Sequence, residues 1–212
     1  MRGSMRSLFL VLICGALAAG PVGAAEAEGK QKAAPGKKTE AVKSDFTSDL
    51  AGNMAYVSKQ IISLAEATPA DKFSWRPNDQ VRTMSEIYMH VVGPNMLMPS
   101  MLGAAPPKGL TIPEKAWDLA EKWEAEVTSK EAVIARLKES FDYAIAAVKT
   151  IPPSALDGQA DIFGFPASKR AYLMILMSHA HEHLGQAVAY ARTVGVVPPW
   201  SVKPQIAAGG SN

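Results

Sequence analysis

Cysteine is all but missing from this sequence: Cys14 is the single one in 212 residues, and it lies in an apolar stretch near the N-terminus. The remainder of the chain can close no disulfide within itself and offers no thiolate to a metal, so metal ligands must come from His, Asp, Glu or Met. Histidine is scarce too, with four in the chain, His90, His179, His181 and His183. An excess of one charge is lacking: 22 Lys and Arg stand against 20 Asp and Glu. No clustered basic face interleaved with aromatics marks a nucleic-acid partner. Long hydrophobic runs are absent, because Leu8 to Ala19 is too short to span a bilayer. Strict apolar–polar alternation and internal repeats are absent as well, which argues against a β-sandwich or a solenoid.

What the N-terminus does hold is the layout of a secretory signal: Arg2 and Arg6, then the short apolar stretch, then Gly23-Ala24-Ala25 for a signal peptidase. Residues 1–25 are therefore expected to be a cleaved signal peptide. The product would be exported, periplasmic or secreted, with no stable membrane insertion. Cys14 follows Ile13, where lipid attachment wants a small residue. Loss of Arg2 and Arg6 from a formal charge of +2 leaves a neutral mature chain. Residues 26–44 mix Lys30, Lys32, Lys37, Lys38 and Lys43 with Ala, Gly, Pro and Glu, without apolar periodicity, and read as a flexible linker. Residues 45–202 form one expected domain, and residues 203–212 a disordered tail.

Within that domain, Phe46, Leu50, Val57, Ile61 and Leu64 recur at helical spacing until Thr68-Pro69. A turn-rich stretch from Asp71 to Arg82 leads to Thr83-Met84-Ser85-Glu86, a capping box opening a second helix that runs to about Leu102. Pro94 lies inside it, one turn after His90, where it kinks the helix or frees a carbonyl. A Pro/Gly loop, Gly103 to Gly109, precedes a short surface helix over residues 113–127 that carries Trp117 and Trp123. Thr128-Ser129-Lys130-Glu131 reads as a second capping box. It opens a helix with Val133, Ile134, Leu137, Phe141, Ile145 and Val148 on one side, stopped by Ile151-Pro152-Pro153. Residues 154–166 hold too much Gly, Pro and Asp for a helix. The last helix runs from near Ser168 to Val194, closed by Gly195 and Pro198-Pro199. The expected fold is all-α, a four-helix bundle with a short extra helix between the second and third.

Chemistry concentrates on the last helix, where Tyr172, Leu176, His179, His183, Gln186 and Tyr190 share one face. Two imidazoles one turn apart can grip one ion; on spacing alone they can equally be hydrogen-bonded core histidines. His181 falls on the opposite side. His90, flanked by Ile87, Val91, Pro94 and Met98, is the one histidine left to complete a three-imidazole set, suited to zinc, nickel, cobalt or iron. Glutamate does not follow the first histidine directly, so the metalloprotease motif is not met. Glu182 is the nearest carboxylate, a candidate acid or base or an acceptor for an imidazole N–H. Tyr88, Asn95 and Gln186 are the other reachable polar groups. Met96, Met98 and Met101 could bind soft copper, although methionine at such spacing is more often core filler.

Several separated motifs occur together: His179 to His183 with Leu184-Gly185-Gln186, Tyr190-Ala191-Arg192 and Gly195-Val196-Val197-Pro198-Pro199; upstream, Phe73-Ser74-Trp75-Arg76-Pro77, Met84-Ser85-Glu86-Ile87 and His90-Val91. Across about residues 46–201 the chain resembles the DinB-like (damage-inducible, YfiT-like) metal-binding proteins. The resemblance implies an up-down-down-up bundle, often a homodimer, with a divalent metal on His90, His179 and His183. It also implies activities such as thiol-dependent S-transfer, hydrolysis or isomerisation. Where the family often has His-His-Arg-Gly-Gln, this chain has Glu182-His183-Leu184-Gly185-Gln186, and it carries the export signal. Both departures point away from thiol transfer. The expectation is an exported metal-dependent hydrolase or transferase acting on an unidentified small molecule; the alternative is a non-catalytic metal- or ligand-binding stress protein.

Overall fold

Each long helix begins where a side-chain oxygen can take up a free backbone N–H. Asp45 accepts from Ser48 to start α1 (Phe46–Ala67). Thr83 and Glu86 form the reciprocal capping box of α2 (Met84–Met101), and Ser168 accepts from Ala171 to start α5 (Lys169–Thr193). The α4 helix (Lys130–Val148) is capped by Ser129, which accepts from Ala132, so the cap falls one residue later than the Thr128 box places it. The short α3 covers Ala116–Glu126. These elements come from a computed structural model that describes residues 45–202. The signal peptide, linker and tail read from the sequence lie outside the described residues.

Two clusters of buried side chains set the topology. One joins the start of α1 (Leu50, Met54) to the end of α2 (Met98, Leu102), the end of α4 (Ala144, Val148) and the start of α5 (Tyr172, Leu176). The other joins the end of α1 (Ile61, Leu64) to the start of α2 (Ile87, Val91), the start of α4 (Val133, Leu137) and the end of α5 (Leu184, Ala191). Hence α1 and α5 run one way and α2 and α4 the other, an up-down-down-up bundle. Each of α1 and α5 packs on its neighbours across this core, while α3 lies against the outer side of α2. Among the described residues no helix is long and apolar enough to cross a membrane.

The stretch 154–166 departs from expectation. It contains a hairpin, β1 (Gln159–Asp161) antiparallel to β2 (Pro166–Ser168), with Gln159 opposite Ser168 and Asp161 opposite Pro166. Strands of three residues are too short for alternation to register. The hairpin is held instead from α5: the Tyr172 hydroxyl accepts the Ile162 N–H and donates to the Phe165 carbonyl. At the same end, Lys169 Nζ donates to the Leu102 carbonyl at 2.8 Å, joining the head of α5 to the tail of α2.

The middle of α2 is shaped by a proline and a glycine, Pro94 and Gly93. Proline at 94 removes the N–H that would bond the His90 carbonyl, yet the helix continues through it to Met101. At Gly93 a Cβ would stand 2.7 Å from the Ala120 Cβ, so only glycine lets α3 approach this closely.

Candidate metal centre

The close approach at Gly93 and Ala120 places the next turn of α3 beside the preceding turn of α2. There Glu124 Oε2 lies 2.9 Å from His90 Nδ1. The other Glu124 oxygen accepts from Arg82 Nε, just ahead of the α2 cap. Burial alone would raise the Glu124 carboxyl, but the hydrogen bonds from His90 and Arg82 and their charges outweigh it and hold it below the usual carboxylate range. An ionised Glu124 accepts the His90 Nδ1–H and so leaves Nε2 as the ring nitrogen free to serve as a ligand.

His179 and His183 reach the same place from α5. Ring centroids are 5.0 Å apart for His90 and His179, 4.7 Å for His90 and His183, and 4.4 Å for His179 and His183. One ring nitrogen from each lies within 4.8 Å of the other two. A shared zinc-type ion would bind each of these nitrogens at roughly 2.0–2.1 Å. His183 Nδ1 is 2.8 Å from Gln186 Oε1, which fixes its tautomer as Glu124 fixes that of His90.

The electrostatics favour the neutral form of the two α5 rings. Burial, then the charges of His183, His90 and Arg82, push His179 down to about 3. Burial also lowers His183, against the opposing effect of the hydrogen bond it donates to Gln186. Neutral imidazoles at physiological pH present lone pairs, the form a metal binds. The three histidines form a group that could hold a metal ion.

The other residues singled out from the sequence are placed less centrally. His181 and Glu182 are exposed; Glu182 acts on the group as a nearby negative charge that favours protonation of His183. The imidazole N–H acceptors are Glu124 and Gln186 rather than Glu182. Tyr88 is buried against Phe73, and burial pushes its hydroxyl up. Asn95 is buried and reaches Ser140. Met96 belongs to the core around Leu137 and Met98 to the core around Leu102.

Three spaces lie about the site, the smallest, of about 100 Å³, touching Arg82, His90, Pro94, Trp117 and Glu124. A polar cleft of about 460 Å³ includes Arg82, Glu86, Glu124 and Gln186 in its lining. An apolar chamber of about 250 Å³ is bounded by His90 and His179 together with Pro94, Met98, Trp117, Phe163 and Ile175.

Glu124 was not legible as a site residue because α3 reads as a surface helix, nor was Arg82, which lies in the turn-rich stretch ahead of α2. The available signal was the stripe Trp117, Ala120, Glu124, which sets a carboxylate in line with the residues facing α2.

Known structures agree with this architecture. A DinB-like protein from Bacillus cereus ATCC 10987 matches with a TM-score of 0.56 at 18% identity, covering 71% of this chain and 93% of its own. A DinB-like protein from Bacillus subtilis matches with a TM-score of 0.50 at 20% identity, covering 70% of this chain and 93% of its own. At such identities the likeness is one of fold. No curated protein matches the sequence. The DinB superfamily model matches residues 57–187, a span that includes all three converging histidines, and the chain belongs to that superfamily.

Proposed function

We propose that this chain is an exported metal-dependent enzyme, of hydrolase or transferase type, whose divalent ion (zinc, nickel or iron) is held by His90, His179 and His183. The observation that carries the reading is the convergence of three imidazoles from two antiparallel helices, two of them with an N–H fixed by an outer acceptor. When bound, such an ion supplies Lewis-acid polarisation and acidifies water. Arg82 and Glu124 orient His90, and Gln186 orients His183. The group comprises three histidines and no carboxylate among the described residues, the ligand count typical of sites that leave a position for water or substrate. Glu182, exposed beside His183, is the candidate for proton transfer to solvent.

Metal analysis of protein purified without an affinity tag tests the centre. Close to one equivalent of a transition metal is expected, lost in His183→Ala; less than half an equivalent, unchanged by that substitution, overturns it. Export rests on Arg2, Arg6, the Leu8–Ala19 stretch and Gly23-Ala24-Ala25, and N-terminal sequencing of the protein from its host tests it. A homodimer is the assembly we propose, checked by sedimentation.

A second reading is a non-catalytic metal- or ligand-binding protein. One observation favours it: Met98 lines the apolar chamber together with His90 and His179, placing a thioether near the imidazoles. Equal copper(I) affinity in the wild type and in a Met96, Met98 and Met101 triple substitution removes the copper form of this reading.

A further inference from the structure

The apolar chamber is built, not incidental. Its inner wall is Pro94 and Met98 of α2 and Ile175 of α5; its outer wall is Trp117 of α3 and Phe163 at the hairpin tip. Phe163 stacks on Trp117 with centroids 5.2 Å apart and planes at 20°, and Trp117 Nε1 donates to the Ile162 carbonyl at 3.4 Å. Tyr172 clamps the same tip through Ile162 and Phe165. Gly164, with φ +79°, makes the turn between the two phenylalanines. A side chain that needed only burial would not be held this way, for Phe163 remains 44% exposed.

The chamber's polar groups are two imidazoles, and a smaller space of about 100 Å³ that shares His90, Pro94 and Trp117 with it also touches Arg82 and Glu124 of the polar cleft. The volume of about 250 Å³ exceeds the roughly 150 Å³ of an engineered apolar cavity that stays dry and takes up benzene. Apolar walls reward an apolar occupant and penalise a polar one that loses its water.

We propose that this chamber is the subsite for a compact apolar group of the substrate, best a single aromatic ring, which sets the substrate's polar reacting group against the histidines. The assignment deepens the metal-centre reading and rests on it for the word substrate. Its first test does not depend on metal.

In that test, metal-free protein is titrated with 4-fluorotoluene and followed by fluorine NMR. Saturable binding is expected, weakened about tenfold or more by Ile175→Trp, which fills the chamber. Phe163→Ala, on an exposed turn, is expected to weaken it measurably without disturbing the bundle. Met174→Ala, on the exposed side of α5, leaves it unchanged. No saturable binding, or binding indifferent to both Ile175→Trp and Phe163→Ala, overturns the subsite. With zinc-loaded protein, benzohydroxamate should bind about tenfold tighter than acetohydroxamate, and Ile175→Trp should erase the difference. Equal affinity of the two hydroxamates for the wild type also overturns it. A protein that holds no zinc yet binds 4-fluorotoluene with the expected variant pattern retains the apolar site and discards the metal centre.

Discussion

Along α1 and α4 the buried positions recur every three or four residues: Leu50, Met54, Val57, Ile61 and Leu64 on one helix, Val133, Leu137, Phe141, Ala144 and Val148 on the other. Their opposite faces are wet. In α2 almost every side chain from Met84 to Pro99 is buried except His90 and Glu86, and the helix tolerates Gly93, Pro94, Asn95 and Pro99. Among the described residues, two of its buried polar atoms, the Tyr88 hydroxyl and Asn95 Oδ1, find no hydrogen-bond partner. The difference follows from what covers each helix. The first pair faces the core on one stripe, whereas α2 has α4 and α5 on its inner side and α3 on its outer side. The regular stripes serve the core alone, and the irregular residues gather where the site is assembled.

Substitutions that separate these two roles give the sharpest comparison. Leu137→Ala, in the regular part, should lower stability by about 2–5 kcal/mol in denaturant unfolding while the folded protein keeps its metal stoichiometry. Gly93→Ala should cost about 1–3 kcal/mol through the clash with Ala120, and unlike Leu137→Ala it should also weaken metal binding, because α3 carries Glu124. Retained metal affinity in Gly93→Ala would break the contrast. Glu124→Gln, which keeps the shape but removes the charge behind His90, should lower metal affinity about 10- to 100-fold; competition with a chelator reads it, and an unaltered affinity would free His90 from any dependence on α3.

Acid should distinguish the two regions again. His179 is held down to about 3 by burial and neighbouring positive charges, and His183 is lowered by burial. In the unfolded chain each returns towards about 6.5, so the unfolded state binds more protons below that pH. The histidine contribution to the stability of metal-free protein is complete above about pH 6.5 and is lost as pH falls towards 3. A thermal melting series on chelator-treated protein should show this decline. It should be shallower in His179→Asn, and an equal slope in both would refute the assignment. The smallest effect is expected from Tyr88→Phe, which deletes an unpartnered hydroxyl: calorimetry should show no loss, or a gain of up to about 1 kcal/mol.

The bundle and its three histidines could be read from the chain because both depend on spacing along single helices. His179 and His183 share a turn, and so few histidines exist that His90 was the natural third. Glu124 escaped because its role depends on how closely α3 approaches α2, and that distance is set by the missing Cβ of Gly93, a tertiary fact that helical periodicity does not encode. The α4 start shifted because Thr128 and Ser129 both offer a hydroxyl, and the match of Thr128 to Glu131 favoured the wrong one. The hairpin was hidden because its order comes from Tyr172 and Trp117 rather than from its own strands.

Lys169 ties together the two helices that carry the histidines. Its ammonium fastens the exit of one histidine-bearing helix to the entry of the other. A slip between them of one residue, roughly 1.5 Å along the axis, would have to break that tie. The distance between His90 and His183 is thereby gauged at a point roughly three to four helical turns from either ring, where ligand entry does not disturb it.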